Sequence, residues 1–265
     1  MTSPASQAAQ LRADCIADSA GGLTFDVTTH GGTGVAHLLL RRRDTHQEVS
    51  LPLAPAAVGR LRAALPSSVA LPEGRWDAYA RVADGEPRRL APGVTDLRSL
   101  TARTPTGSRV AVRIPYATRQ GNLSVRSWLR APHAEADELR LEDAELTVRG
   151  RVYGIRLGPD ACAELRERHG SRPVRRTGVA VGQAEFRLTV PYGALRPGVW
   201  DLWLRPVGEA GPRVRIARLL DDVADKQPVL ICPRVRVRTP DGPVEAAPYY
   251  TRDNDLSLSV TAVTP

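Results

Sequence analysis

Residues 195–205 read "LRPGVWDLWLR", and residues 71–81 read "LPEGRWDAYAR"; Trp-Asp occurs at these two places and nowhere else in the chain. In the later stretch Pro197-Gly198 supplies a turn, and the residues that follow alternate. Trp200, Leu202 and Leu204 fall on one face of an extended chain, and Asp201, Trp203 and Arg205 fall on the other. In the earlier stretch Trp76, Ala78 and Ala80 oppose Asp77, Tyr79 and Arg81 in the same way. A period of two with one apolar face predicts a strand that plugs a core with its tryptophan. The other face then carries an acid, an aromatic and an arginine toward solvent.

The two stretches belong to a longer internal repeat. Upstream, Leu40, Arg41, Arg43 and Val49 return as Leu165, Arg166, Arg168 and Val174, an offset of 125. Downstream, Thr104, Pro105 and Gly107 return as Thr239, Pro240 and Gly242. Finally Pro115, Tyr116, Thr118, Arg119, Leu123 and Ser124 return as Pro248, Tyr249, Thr251, Arg252, Leu256 and Ser257, an offset of 133. Collinear anchors with slowly drifting offsets predict two homologous domains. Their expected bounds are 21–130 and 138–264, with an N-terminal tail or cap at 1–20 and a polar linker at 131–137.

Other runs also alternate. Val110, Val112 and Ile114 share one face, as do Phe186, Leu188 and Val190, and Leu256, Leu258 and Val260. Twenty-two prolines and 22 glycines punctuate the chain at short intervals. Short alternating strands broken by turns predict an all-β protein of two tandem immunoglobulin-like antiparallel β-sandwiches, arising by duplication. The stretch "APAAVGRLRAAL" puts Val58, Leu61 and Leu65 on one helical stripe and is expected as a short inserted helix. "PDACAELRERHG" has helical propensity, but its counterpart "LLLRRRDTHQEV" reads as strand, so both are expected as hairpins turning at "HGSRP" and "DTHQ".

The formal net charge is +8, carried almost wholly by arginine, with Lys226 the only lysine. Such a surface attracts polyanions and anionic membranes. No compact basic run with interleaved aromatics is present, which argues against nucleic acid as a partner. Cys15, Cys162 and Cys232 are odd in number and widely spaced, so they form neither a disulfide framework nor a zinc cluster. They fit a reducing compartment. The first 22 residues lack the basic and apolar parts of a signal peptide, and no apolar run is long enough for a membrane helix. The expected location is cytoplasmic, reaching the inner face of the membrane through partners.

Motifs that name a reaction are missing. "HGGTG" at 30–34 has the look of an esterase oxyanion loop, but no G-x-S-x-G accompanies it, and it reads as a turn. There is no phosphate-binding loop or dinucleotide turn. His30, His37, His46, His133 and His169 lack metal spacing. Asp221, Asp222 and Asp225 could hold Mg²⁺ against a substrate phosphate, yet the first copy has no acidic cluster there, so a solvated loop is expected. Asn122-Leu123-Ser124 is a formal glycosylation sequon without meaning in a cytoplasmic bacterial chain.

The segments "LLLRRRDTHQEVSLPL", "LPEGRWDAYAR", "FRLTVPYGALRPGVWDLWLR" and "PYYTRDNDLSL" resemble the immunoglobulin-like β-sandwich repeats of actinobacterial teichoic-acid glycosyltransferases and glycerophosphotransferases. The resemblance extends over nearly the whole chain after about residue 20. In that family the chemistry belongs to a separate α/β nucleotide-sugar domain, which this sequence does not show, while the sandwiches serve oligomerisation or polymer contact. The resemblance therefore implies a non-catalytic accessory protein without cofactor or metal, contacting a cell-wall transferase or its anionic glycopolymer. The residues expected to bind are Asp77, Tyr79, Arg81, Asp201, Trp203 and Arg205. Two rival readings stand beside it. One is a pure oligomerisation module that places Tyr79 and Trp203 in a protein interface. The other is a cryptic transferase of a nucleotide-activated sugar or polyol, built on the Asp221/Asp222/Asp225 loop.

Overall fold

The computed structural model describes residues 10–28, 36–83, 85–103, 105, 108–170 and 174–263. The chain is nearly all β and divides into two compact units. One comprises Met1–Thr104 with Ala111–Leu129, the other Pro105–Val110 with Arg130–Pro265. The first sheet contains β1 (Arg12–Ala17), β2 (Leu23–Thr28), β3 (Ala36–Arg42), β4 (Glu48–Ala57), β5 (Arg60–Leu65), β6 (Gly74–Val82), β7 (Arg88–Arg89), β8 (Ala91–Asp96), β9 (Val110–Ala117) and β10 (Leu123–Arg130). The second contains β11 (His133–Leu141), β12 (Glu145–Tyr153), β13 (Cys162–Glu167), β14 (Arg175–Val181), β15 (Glu185–Pro191), β16 (Gly198–Arg205), β17 (Val214–Ala217), β18 (Val235–Thr239), β19 (Gly242–Tyr250) and β20 (Leu256–Ala262).

Both sheets curl on themselves. In the second, neighbours run β13-β14-β15-β12-β11-β17-β16, and β16 pairs back onto β13; β20, β19 and β18 continue from β16. In the first, β8-β1-β2-β5-β4-β3-β6-β10-β9 are neighbours and β7 pairs β6. Only Leu90 separates β7 from β8, so one short segment pairs with β6 through β7 and with β1 through β8. Among the described pairings, β1 with β8 and β11 with β17 are parallel and the rest antiparallel.

The tryptophan strands sit where their alternation places them. Trp76, Ala78 and Ala80 are buried, as are Trp200, Leu202 and Leu204, while the residues between them are half-buried. Each indole Nε1 donates to a carbonyl four residues back, Trp76 to Pro72 and Trp200 to Arg196, both at 3.0 Å. Those bonds are what let an indole sit in a core. The glycine two residues before each tryptophan has φ of +159° at Gly74 and +154° at Gly198, a conformation closed to other residues. Trp200 belongs to one buried apolar cluster with Leu165, Phe186, Leu188, Ile216, Leu258 and Tyr250.

The expected helix over "APAAVGRLRAAL" is instead the β4–β5 hairpin, turning at Gly59 with φ +68°. Ala63 and Leu65 face inward. Arg60 and Arg62 face outward and bind Asp14 and Asp26, each at 2.6 Å. Val58, counted in the helical stripe, is fully exposed. Sheet pairing on both edges of β5 overrides the helix propensity of its alanines. The stretch "PDACAELRERHG" contains β13, which pairs antiparallel with β14 as expected, while most of its "HGSRP" turn lies outside the described residues; in its counterpart the "DTHQ" turn joins β3 to β4.

Residues 131–137, read as a linker, run into β11, and the segment 1–20, read as a tail or cap, contains β1. Polar composition misleads in β11 because its polar side chains are satisfied inside. The Glu135 carboxylate accepts the backbone N–H of Leu219 and Leu220 at 2.9 Å and pairs with His133 at 2.7 Å, with Glu135 and His133 both buried. The "HGGTG" stretch lies outside the described residues.

Candidate functional site

Asp77 and Asp201 emerge on the outer face of β6 and β16, and each gathers the same partners. Ser124 Oγ donates to Asp77 at 2.7 Å, and Ser257 Oγ donates to Asp201 at 2.8 Å. The serines arrive by strand register, Ser124 opposite Asp77 and Ser257 opposite Asp201. Arg43 reaches Asp77 at 2.8 Å, and Arg168 reaches Asp201 at 2.6 Å. Those arginines are held by one backbone bond in each unit, Arg43 N–H to the Arg75 carbonyl and Arg168 N–H to the Val199 carbonyl, at 3.0 and 2.9 Å. Three anchors of the sequence repeat, far apart in the chain, thus converge on one point of each unit.

A second arginine completes each cluster. Arg89, opposite Tyr79 in register, lies 3.3 Å from Asp77, and Arg215, opposite Trp203, lies 3.4 Å from Asp201. Their guanidinium groups also stack on the aromatic rings, 4.9 Å from the Tyr79 centroid and 4.9 Å from the Trp203 centroid. Arg41 covers Tyr79 at 4.9 Å, Arg213 covers Trp203 at 5.4 Å, and Arg168 lies 5.9 Å from the Tyr249 ring. Arg81 and Arg205, two residues further along the same strands, are not the arginines that cover the rings. Residues i and i+2 stand nearly 7 Å apart along a strand, whereas cross-strand neighbours come within about 5 Å.

The carboxyls of Asp77 and Asp201 both sit below the ordinary range. Burial pushes each upward, and the opposing arginines and the serine hydroxyl more than offset it. Each Asp is therefore a fixed anion that orients two guanidinium groups. In the second unit the arrangement opens onto a cleft of about 600 Å³ lined by Arg168, Asp201, Trp203, Arg215, Tyr249, Thr251, Arg252 and Asp255, with Gln227 and Asp253 at its edge. The mix of planar rings, fixed arginines and carboxylates is suited to hydroxyl- and phosphate-bearing ligands.

Of the six residues expected to bind, Asp77, Tyr79, Asp201 and Trp203 lie in these clusters. Arg205 is turned away, bonded to Glu164 at 3.1 Å and to the Gly211 carbonyl at 2.6 Å. Arg81 lies beside a different depression. The sequence reading passed over Arg43, Arg168, Ser124 and Ser257 as site residues although its own anchors contained them. It missed Arg89 and Arg215 altogether. Their signal is faint, a glycine four residues before and an aliphatic-Ala pair after, in "GEPRRLA" and "GPRVRIA".

The acidic loop is differently disposed. Asp221 binds the Nζ of Lys226 at 2.7 Å and Nε of Arg218 at 3.2 Å, with Lys226 fully buried. Burial lowers the Lys226 pKa, against the pull of Asp221. With its charge taken up by two cations, Asp221 serves the loop's structure. No group of metal-ligating side chains occurs among the described residues, and no described helix is long and apolar enough to cross a membrane.

No family model matches the chain, and no curated protein matches it. Among solved structures it is similar to S. aureus TarS, at 12% identity and a TM-score of 0.32, covering 68% of this chain and 34% of that one. For a TarS fragment, residues 217–571, identity is 14%, the TM-score 0.31, and coverage 68% and 55%. A pullulanase from Anoxybacillus sp. LM18-11, complexed with maltotriose, matches at 9% identity and a TM-score of 0.27, over 72% of this chain and 24% of that one. The chain thus spans between about a quarter and about half of the length of these three structures.

Proposed function

We propose that this chain is a non-catalytic accessory protein that contacts an anionic cell-wall glycopolymer of the teichoic-acid type, or the transferase that handles it. The observation that carries the reading is the recurrence, in both units, of one outward cluster: Arg43, Asp77, Ser124, Arg89 and Tyr79, and Arg168, Asp201, Ser257, Arg215 and Trp203. Two copies of one surface suit a ligand that itself repeats, because the second contact is made at high effective concentration. Arginines already oriented by a carboxylate lose little freedom on meeting a phosphate. The net charge of +8 draws a polyanion toward the protein. The resemblance of the sequence to teichoic-acid-associated repeats supports the choice of polymer, and the fold of each unit is then an immunoglobulin-like sandwich derived by duplication. Titration calorimetry with poly(glycerol phosphate) tests the reading: binding at low ionic strength that weakens as salt is added is the expected result. No binding at either ionic strength refutes the polymer reading.

A further inference from the structure

The two units are alike in fold but differ at one outward position of the strand before the Trp-Asp strand. In the second unit that position is Glu164, opposite Trp203; in the first it is Leu39, opposite Tyr79. Both side chains are buried. Glu164 neutralises the arginines around it: Arg205 lies 3.1 Å away, Arg166 3.5 Å and Arg176 3.6 Å. Leu39 can neutralise nothing. The counterpart of Arg205 in the first unit is Arg81, whose side chain makes no hydrogen bond or ion pair among the described residues. It stands opposite His37 in register. With His37 and Arg41 it lines an open depression of about 730 Å³, together with Ala83, Gly85, Glu86 and Pro87. Arg41, which also lines the depression, binds Glu48 through its Nε at 2.6 Å and covers the Tyr79 ring at 4.9 Å. Among the described residues that line it the one carboxylate is that of Glu86, which is exposed.

We infer that the first unit carries an anion subsite formed by Arg81, His37 and Arg41, taking a phosphate oxyanion, which the second unit lacks, since there Cys162 stands opposite Arg205 and Glu164 neutralises that arginine. The inference rests on the polymer reading only for the source of the phosphate; the subsite itself is a matter of local charge. Arg81 supplies the bidentate fork and His37 a ring N–H, while the Glu86 carboxylate opposes an anion there.

Two probes on the full chain separate the inference from the reading it deepens. Inorganic phosphate is titrated while the ring signals of His37 are followed by nuclear magnetic resonance. They shift in the wild type and stay in place in Arg81→Ala; signals unmoved in the wild type, or moved equally in Arg81→Ala, overturn the subsite. Poly(glycerol phosphate) is titrated in parallel. Arg81→Ala weakens its binding by about ten-fold, the scale of one lost charge-assisted contact. Polymer binding unchanged in Arg81→Ala overturns the subsite and leaves the polymer reading intact. A His37 response to phosphate without polymer binding does the reverse. Leu39→Glu, which gives the first unit the internal carboxylate of the second, reproduces the Arg81→Ala result. If that buried substitution unfolds the unit, Glu86→Gln is the surface variant that decides, since it tightens phosphate binding.

Discussion

Replacing Asp201 by asparagine removes one charge and almost no volume. The Ser257 hydroxyl keeps an acceptor, but Arg168 and Arg215 lose the anion that holds them at 2.6 and 3.4 Å. The side chains involved are 14–31% exposed, so the cluster is neither at the surface nor fully enclosed. Exposed pairs contribute about 0–1 kcal/mol, and breaking a buried pair costs about 3–5. At this burial the loss is about 2 kcal/mol, which opens the β16–β20 pairing about 30-fold more often. Hydrogen exchange followed by mass spectrometry reads each unit from its own peptides and needs no assumption that the chain unfolds in one step. Peptides from β16 and β20 should exchange about 30-fold faster in Asp201→Asn while those from β6 and β10 are unchanged; Asp77→Asn should do the opposite. The effect also has a pH signature. Because the folded carboxyl lies below its unfolded value near 3.9, its contribution is complete above that pH and is lost as the pH falls through the folded value. Asp201→Asn lacks that acid-dependent part. Exchange in β16 and β20 within about two-fold of wild type would show that the cluster is an exposed, nearly weightless ion pair and not a fixed one.

Trp200→Phe removes the Nε1 bond to the Arg196 carbonyl and leaves a small void; calorimetry should show about 1–3 kcal/mol of destabilisation, with no loss beyond experimental error contradicting the core-plug assignment. Cys15 is completely buried, and burial, with the nearby Asp14 charge, pushes its thiol up to about 12. It should therefore resist thiol reagents in the native protein and react only on unfolding, whereas Cys162 and Cys232, both part-exposed, react first.

The strand skeleton was legible because alternation and burial obey the same rule. A residue beside Trp76 or Trp200 must face outward, and the sequence says which. The repeat also corrected propensity at β13, where the counterpart's leucines outvoted a helical reading. It could not correct β5: "RLRAAL" has no distinctive partner, and its alanines carry helical propensity without carrying the pairing with β2 and β4 that decides the matter. Polar residues 131–137 misled for the opposite reason, since His133 and Glu135 satisfy each other and the backbone inside the second unit. At the site, the acid and the aromatic of each strand were legible from one stretch. The arginines that hold and cover them come from neighbouring strands, and only register, which pairing across the sheet determines, brings Arg89 to Tyr79 and Arg215 to Trp203.

The direct test of the paired clusters as polymer contacts is a nuclear magnetic resonance titration of the full chain with poly(glycerol phosphate), following the four tryptophan indoles and the backbone amides. The account predicts that the Trp203 indole and the amides of Asp77, Ser124, Asp201 and Ser257 move together as polymer is added, while the buried Trp76, Trp128 and Trp200 indoles stay in place. Polymer binding that shifts signals elsewhere and leaves Trp203 and both aspartates unmoved would contradict it.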